Sequence, residues 1–136
     1  MPPPKLMLRL FSKIHARVYI RSKGRRRNTM NNLPVLLLTT TGRKSGRKHT
    51  VPVVYLVEGN GYLIAPGVVP RPDWYKNIKH NPYAAIQIGA QTTPVKAEEL
   101  TDLERTRLWD TVPEYWKAYE RRAGITLPLI RLQPTI

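Results

Sequence analysis

Arg43, Lys44 and Ser45 stand between Gly42 and Gly46, and Arg47 follows directly. Glycine reaches positive backbone angles that other residues avoid, and successive amides in such a turn can form a concave seat for an anion. Arginine grips a phosphate or carboxylate with two parallel donors, lysine adds a point charge, and serine adds a hydroxyl. These residue types suit anion capture. They equally suit a solvated hairpin whose cations keep a sheet edge soluble, and composition leaves both readings open. A Walker loop is excluded, because the spacing from its first glycine to Gly-Lys-Ser/Thr is absent.

Other chemistry is sparse. Tyr115 and Tyr119 are four residues apart and share one face of a helix, with Trp116 beside them. Two phenols there can shape an apolar pocket or donate a proton, and they can also be ordinary aromatic packing. His15, His49 and His80 show no ligand-like spacing, so no metal site is expected. The chain has no cysteine, which removes disulfides, thiolate catalysis and thiolate ligands. Glu58 and Asp73 lack an obvious partner and are expected to face solvent.

The elements that must position these residues come from one domain, since 136 residues support a single modest core. Hydrophobic residues make up 41%, and 23 Lys and Arg against nine Asp and Glu give a net charge of +14. Such a field draws phosphates, carboxylates, nucleic acid or anionic lipid alike. The apolar run 34–38 is far shorter than the roughly 20 residues a membrane span needs. The N-terminus lacks the uninterrupted apolar core of a signal peptide. A cytoplasmic protein is expected.

Apolar positions at Leu6, Leu10, Ile14 and Val18 predict an amphipathic helix over 5–22, its other face carrying Lys5, Arg9, Lys13 and Arg17. A cationic loop over 22–27 follows. Residues 34–41 are β-prone and largely apolar and read as a central strand. Residues 49–57 read as a second strand, in which Pro52 requires an edge, a bulge or a late start. A turn at 58–61 leads to a third strand over 62–65. Loop residues 66–73 precede a short helix over 74–80, ended by Asn81-Pro82. Strands are expected over 83–88 and 93–98, helices over 101–111 and 113–123, and a last strand over 127–132. Thr101 with Glu104 is a capping-box pair, and Pro113 suits a first helical turn. Short turns between strands, with interspersed helices, give an α+β fold with an antiparallel, barrel-like sheet. No βαβ alternation appears, which argues against a dinucleotide-binding fold of the Rossmann type.

Several segments in order are similar to the deazaflavin-dependent nitroreductases. Leu36-Leu-Leu-Thr-Thr-Thr-Gly-Arg-Lys-Ser-Gly-Arg47, then Thr50-Val-Pro52 and Tyr55, resembles that family's signature. Pro72-Asp-Trp-Tyr-Lys-Asn-Ile-Lys-His-Asn-Pro82 resembles its Pro-x-Trp-Tyr-x-Asn-Leu-x-x-Asn-Pro, Ile86-Gln-Ile-Gly89 echoes another motif, and 127–134 resembles its closing strand. The likeness implies a split β-barrel, with residues 1–28 as a basic N-terminal helix and loop and 29–136 as the coenzyme-binding domain. It implies coenzyme F420, a deazaflavin with a phosphate and a glutamate tail, in preference to FMN. By that resemblance Arg43, Lys44, Ser45, Gly46 and Arg47 hold the phosphate side, and Thr50, Val51 and Pro52 lie along the ring. Ala65, Pro66 and Gly67 wrap its reactive part, Trp74 and Tyr75 close the site, and Tyr115 and Tyr119 are the catalytic candidates. The chain departs from the pattern at Ala65-Pro66-Gly67-Val68-Val69, where the family carries Ala-Ser-x-Gly-Gly in a longer loop. Proline there has no backbone donor.

The resemblance implies hydride transfer from reduced F420 to a small acceptor: a quinone, a nitroaromatic or another unsaturated compound. The coenzyme carries the hard chemistry, which suits a sequence without an acid/base pair. The altered loop keeps a second reading open, a non-catalytic barrel that binds an apolar anion such as a fatty acid. The basic stretch 5–27 supports a third, peripheral attachment to anionic lipid at the inner face of the cell membrane. No base-reading module supports nucleic acid as a partner. A homodimer is compatible with the sequence but not required by it.

Overall fold

The computed structural model describes residues 29–30, 33–66 and 71–135. The expected helix over 5–22, the cationic loop after it and Gly67, Val68 and Val69 lie outside the described residues. The strands are β1 (Thr29–Met30), β2 (Leu33–Thr41), β3 (Lys48–Val54), β4 (Leu56–Glu58), β5 (Gly61–Ile64), β6 (Tyr83–Ile88), β7 (Gln91–Glu99) and β8 (Ile130–Pro134). The helices are α1 (Asp73–His80), α2 (Asp102–Leu108) and α3 (Glu114–Ala123), with a 3₁₀ turn at Trp109–Thr111. The sheet runs β1-β2-β6-β7-β8-β5-β4, with β3 also on β2. Every pairing among the described residues is antiparallel. This is an α+β split barrel, a curled sheet with flanking helices.

Residues 34–41 do form the central strand. Leu37, Leu38 and Thr39 each pair with β3 on one edge and β6 on the other. A strand covered on both faces needs no polar alternation, which is why this stretch is nearly continuously apolar. Leu36 and Leu38 enter an inner core with Val53, Ile64, Trp74, Ile86 and Leu132. Val35 enters an outer core on the other face, with Val54, Leu63, Trp116, Leu127 and Leu129. Pro52 lies opposite Leu37, and β3 has no partner but β2 among the described residues, so the missing donor faces no ladder.

Three expectations need correction. The strand expected over 49–57 breaks at Tyr55, because the chain changes partner there. The Tyr55 amide makes the last bond to β2, donating to the Pro34 carbonyl at 3.2 Å, and Leu56 then pairs with Leu63 of β5. The last strand begins at Ile130 rather than 127. Leu127 and Leu129 are buried, but Pro128 has no ladder donor, and side chains meet the Leu127 backbone: its amide donates to Glu120 at 2.8 Å and its carbonyl accepts from Arg105 Nε at 2.8 Å. Glu58 and Asp73 do not stand alone in solvent. Glu58 accepts from Arg131 Nε at 3.0 Å, Arg131 also reaches Glu104 at 3.0 Å, and Asp73 lies 3.7 Å from Arg43.

The caps follow the sequence. Thr101 Oγ1 accepts from the Glu104 amide at 3.3 Å, and the Glu104 carboxylate accepts from the Thr101 backbone in return. Pro113 sits one place before α3 as its N-cap, and Gly124 ends that helix at φ 67°. Trp116 is 1% exposed and carries α3 onto the outer core. Trp116→Ala is expected to cost about 3–5 kcal/mol, measured by urea unfolding, with Trp116→Phe recovering part of it.

Candidate functional site

The β2–β3 connection closes between Thr41 and Lys48, which pair across the hairpin. Inside it the Gly42 amide donates to the Arg47 carbonyl at 2.7 Å, and the Gly46 amide to the Gly42 carbonyl at 2.9 Å. Glycine fits both positions, most strictly Gly46. Gly46 sits at φ 72°, and a Cβ on Gly42 would come within 2.8 Å of both Ser45 Oγ and His49 Nε2. Ser45 Oγ accepts from the Arg47 amide at 3.2 Å. The Arg43 amide donates to Asn77 Oδ1 at 3.2 Å. The amides of Gly42, Arg43, Gly46 and Arg47 are thus engaged within the protein, so the anion seat expected of the backbone falls largely to side chains. Lys44, Ser45 and Arg47 are exposed, as is Lys48, whose ammonium bonds Thr41 Oγ1 at 2.9 Å.

Arg43 behaves differently from its neighbours. Its guanidinium turns toward α1, where Nη1 donates to Asn77 Oδ1 at 2.9 Å and Nη2 lies 3.7 Å from Asp73. The adjoining wall is β3. Thr50 and Thr39 hydroxyls meet at 2.7 Å, Val51 packs against the inner core, and Pro52 is buried.

Helix α1 supplies the other wall. Trp74 is in the inner core, and the Tyr75 ring meets it edge-on at 6.2 Å. Tyr75 Oη donates to Glu99 Oε1 at 2.5 Å, and the Lys79 ammonium reaches the same oxygen at 3.2 Å. Burial first, then the Glu99 carboxylate, pushes the Tyr75 phenol up to about 12, against a smaller opposing pull from Arg71. Tyr75 and the buried Pro66 line one cleft of about 450 Å³. Arg71, Glu99, Leu100, Ile125 and Leu129 complete much of its wall. Ala65 is buried just before it. Arg71 alone among described non-glycine residues has positive φ, at 51°.

Tyr115 and Tyr119 are not brought to this cleft. Neither lines it: both pack in the outer core, which also supplies the cleft's Leu100, Ile125 and Leu129, while Val51, Trp74 and Tyr75 pack with the inner core. Tyr119 is 5% exposed, its hydroxyl has no hydrogen-bond partner among the described residues, and burial raises its pKa. The sequence reading gave no role to Asn77, Glu99 or Arg71. Asn77 falls within the 72–82 motif, the one sequence signal that could have found it. Glu99 and Arg71 enter only because β7 and the 71–72 segment end beside α1. No cluster of three metal-type side chains occurs among the described residues.

The sequence profile of the F420H(2)-dependent quinone reductase family matches residues 11–132. A Mycobacterium tuberculosis F420H(2)-dependent quinone reductase is 32% identical over 130 residues, covering 88% of this chain and 87% of that protein. A solved F420-H2 dependent reductase superposes with a TM-score of 0.64 at 32% identity, covering 74% of this chain and 94% of that one. A structure described as a domain-swapped dimer gives a TM-score of 0.64 at 28% identity, covering 89% and 95%.

The raised phenol makes a prediction about pH. A folded-state pKa of about 12, above the ordinary 10.0, favours the neutral form in the folded state. The associated stability is complete below pH 10 and is lost as pH rises through about 12. Spectrophotometric phenolate titration should show a late component that Tyr75→Phe diminishes, leaving the share of buried Tyr119, and that Glu99→Gln moves downward. Titration of every tyrosine near the ordinary value would contradict the geometry.

Proposed function

This chain belongs to the F420H(2)-dependent quinone reductase family and is an F420-dependent oxidoreductase, and we propose that it reduces a quinone held in the cleft beside Tyr75. One observation carries this reading. Helix α1 sends Asn77 to the cationic turn and Tyr75 into the cleft, so a single rigid element relates the place for an anion to the place for an acceptor.

The donor set fits the coenzyme. Exposed Lys44, Ser45 and Arg47 match a phosphate, and the partly exposed Thr50 and Val51, backed by buried Pro52, offer a flatter, more apolar surface for a ring system. Ala65, Pro66, Trp74 and Tyr75 stand at the end where the ring would react. When bound and reduced, the deazaflavin supplies the hydride. The chain binds, orients and excludes water. Leu100, Ile125 and Leu129 give the cleft an apolar wall suited to a planar neutral acceptor, and Arg71 offers a donor to one of its carbonyl oxygens. The acceptor in the matched family's name is a quinone, and a nitroaromatic of similar shape fits the same wall as a second substrate. Tyr115 and Tyr119 would then act through packing of α3 rather than by touching the acceptor. The family match favours an enzyme over the fatty-acid carrier.

No helix among the described residues is long and apolar enough to cross a membrane, which fits a cytoplasmic location. Pairing of two copies is the proposed assembly, by analogy with the domain-swapped relative. Sedimentation velocity at micromolar protein should then give a dimer mass, and a monomer would reject the pairing.

Stopped-flow oxidation of reduced F420 by a soluble quinone should be saturable in both reactants. A protein that binds F420 but never passes electrons to any quinone would remove the proposed acceptor. Lys44→Ala with Arg47→Ala should weaken F420 about tenfold or more, and less at high salt, where exposed charges are screened.

A further inference from the structure

Asn77 joins α1 to the end of β2 and the turn that follows it, pieces 34 to 37 residues away in sequence. It is 3% exposed. Its Oδ1 accepts from the amide and the Nη1 of Arg43, at 3.2 and 2.9 Å. Its Nδ2 donates to Thr40 Oγ1 at 3.2 Å, and Thr40 is itself 1% exposed. Two donors facing one atom and a hydroxyl facing the other settle which end of the amide is oxygen. A buried amide without partners would be costly, and here both ends are satisfied inside the protein. At this burial the side chain does not reach a ligand in the turn. Its effect passes through Arg43, whose guanidinium is drawn to α1 by Asn77 and Asp73 together.

We propose that Asn77 is the positioning residue of the coenzyme seat: it pins Arg43 and the end of β2 against α1, so that Lys44, Ser45 and Arg47 face outward in one arrangement. This inference rests on the reading of the 42–47 turn as the seat for the coenzyme's phosphate. Arg43 is by the same geometry a strut and not itself a ligand. Without the amide, the Arg43 backbone donor loses its acceptor and the guanidinium is released from one of its two anchors. The turn then samples several shapes, and the coenzyme must order it on binding, which lowers affinity without altering the bound site.

The test uses the full chain and two readouts. In Asn77→Ala, amide hydrogen exchange at Arg43 and its neighbours should accelerate in the coenzyme-free protein. The F420 dissociation constant should rise about tenfold, with kcat at saturating coenzyme and the quinone KM within about threefold. Asn77→Asp, which keeps an acceptor for both Arg43 donors, should restore the protection at Arg43. Should Asn77→Ala fail to fold, Thr40→Val removes only the Nδ2 acceptor and should move exchange and affinity in the same direction, by a smaller factor. Unchanged exchange at Arg43 with an unchanged dissociation constant in either variant overturns the inference. If the Lys44→Ala/Arg47→Ala protein loses affinity while Asn77→Ala does not, only the positioning role falls. If that double variant binds normally, the seat itself is misassigned and both readings fall.

Discussion

Burial of β2 on both faces is the constraint on which the rest of the structure depends. Val35, Leu36, Leu37 and Leu38 are each exposed by 2% or less, and β2 is bonded along one edge to β3 and along the other to β6. Complete burial of one such side chain is worth about 1.5–3 kcal/mol, as an upper bound because the unfolded chain already hides some apolar surface. A strand held on four sides cannot slide or tilt without breaking both cores. The cationic turn begins where this strand stops, at Gly42, so its exposed cations start from a fixed point.

Charge is distributed to the same end. Six acidic residues, Glu58, Asp73, Glu99, Glu104, Glu114 and Glu120, form ion pairs that mostly tie helices to the sheet or to each other. Arg131 joins β8 to β4 through Glu58 and to α2 through Glu104. Arg105 of α2 holds Glu120 of α3 and lies 4.1 Å from the centre of the Trp109 ring. Among the described residues no ion pair reaches Lys44, Arg47 or Lys48. With nine acids against 23 cations, the chain has too few carboxylates to neutralise every cation. Part of that surplus, Lys44, Arg47 and Lys48, stands exposed at and beside the turn.

The two tyrosine environments separate structural from chemical duty. Tyr75 has a half-buried ring, a carboxylate partner on β7 and one side in the cleft. Tyr119 has a more deeply buried ring and, among the described residues, no partner for its hydroxyl, within a cluster of leucines and Trp116. Both phenols stay protonated at neutral pH, but only Tyr75 is placed beside space that another molecule could occupy.

The sequence by itself determined the elements whose reasons are local. The apolar run of β2, the glycines of the 42–47 turn, the Thr101–Glu104 cap and the Asn81-Pro82 stop depend on neighbours in sequence, and each lies where chain chemistry put it. The motifs also pointed to the coenzyme. Tertiary structure alone decided what depends on distant partners. The change of partner that splits 49–57 at Tyr55 follows from where β2 begins, and the late start of β8 follows from side chains of Arg105 and Glu120 meeting the Leu127 backbone. The helical spacing of Tyr115 and Tyr119 was legible, but the face of the sheet they cover was not, because periodicity gives a stripe without naming what it packs against. Arg43 shows the same limit: five donors are written in its side chain, while the direction they point was set by Asn77, 34 residues away.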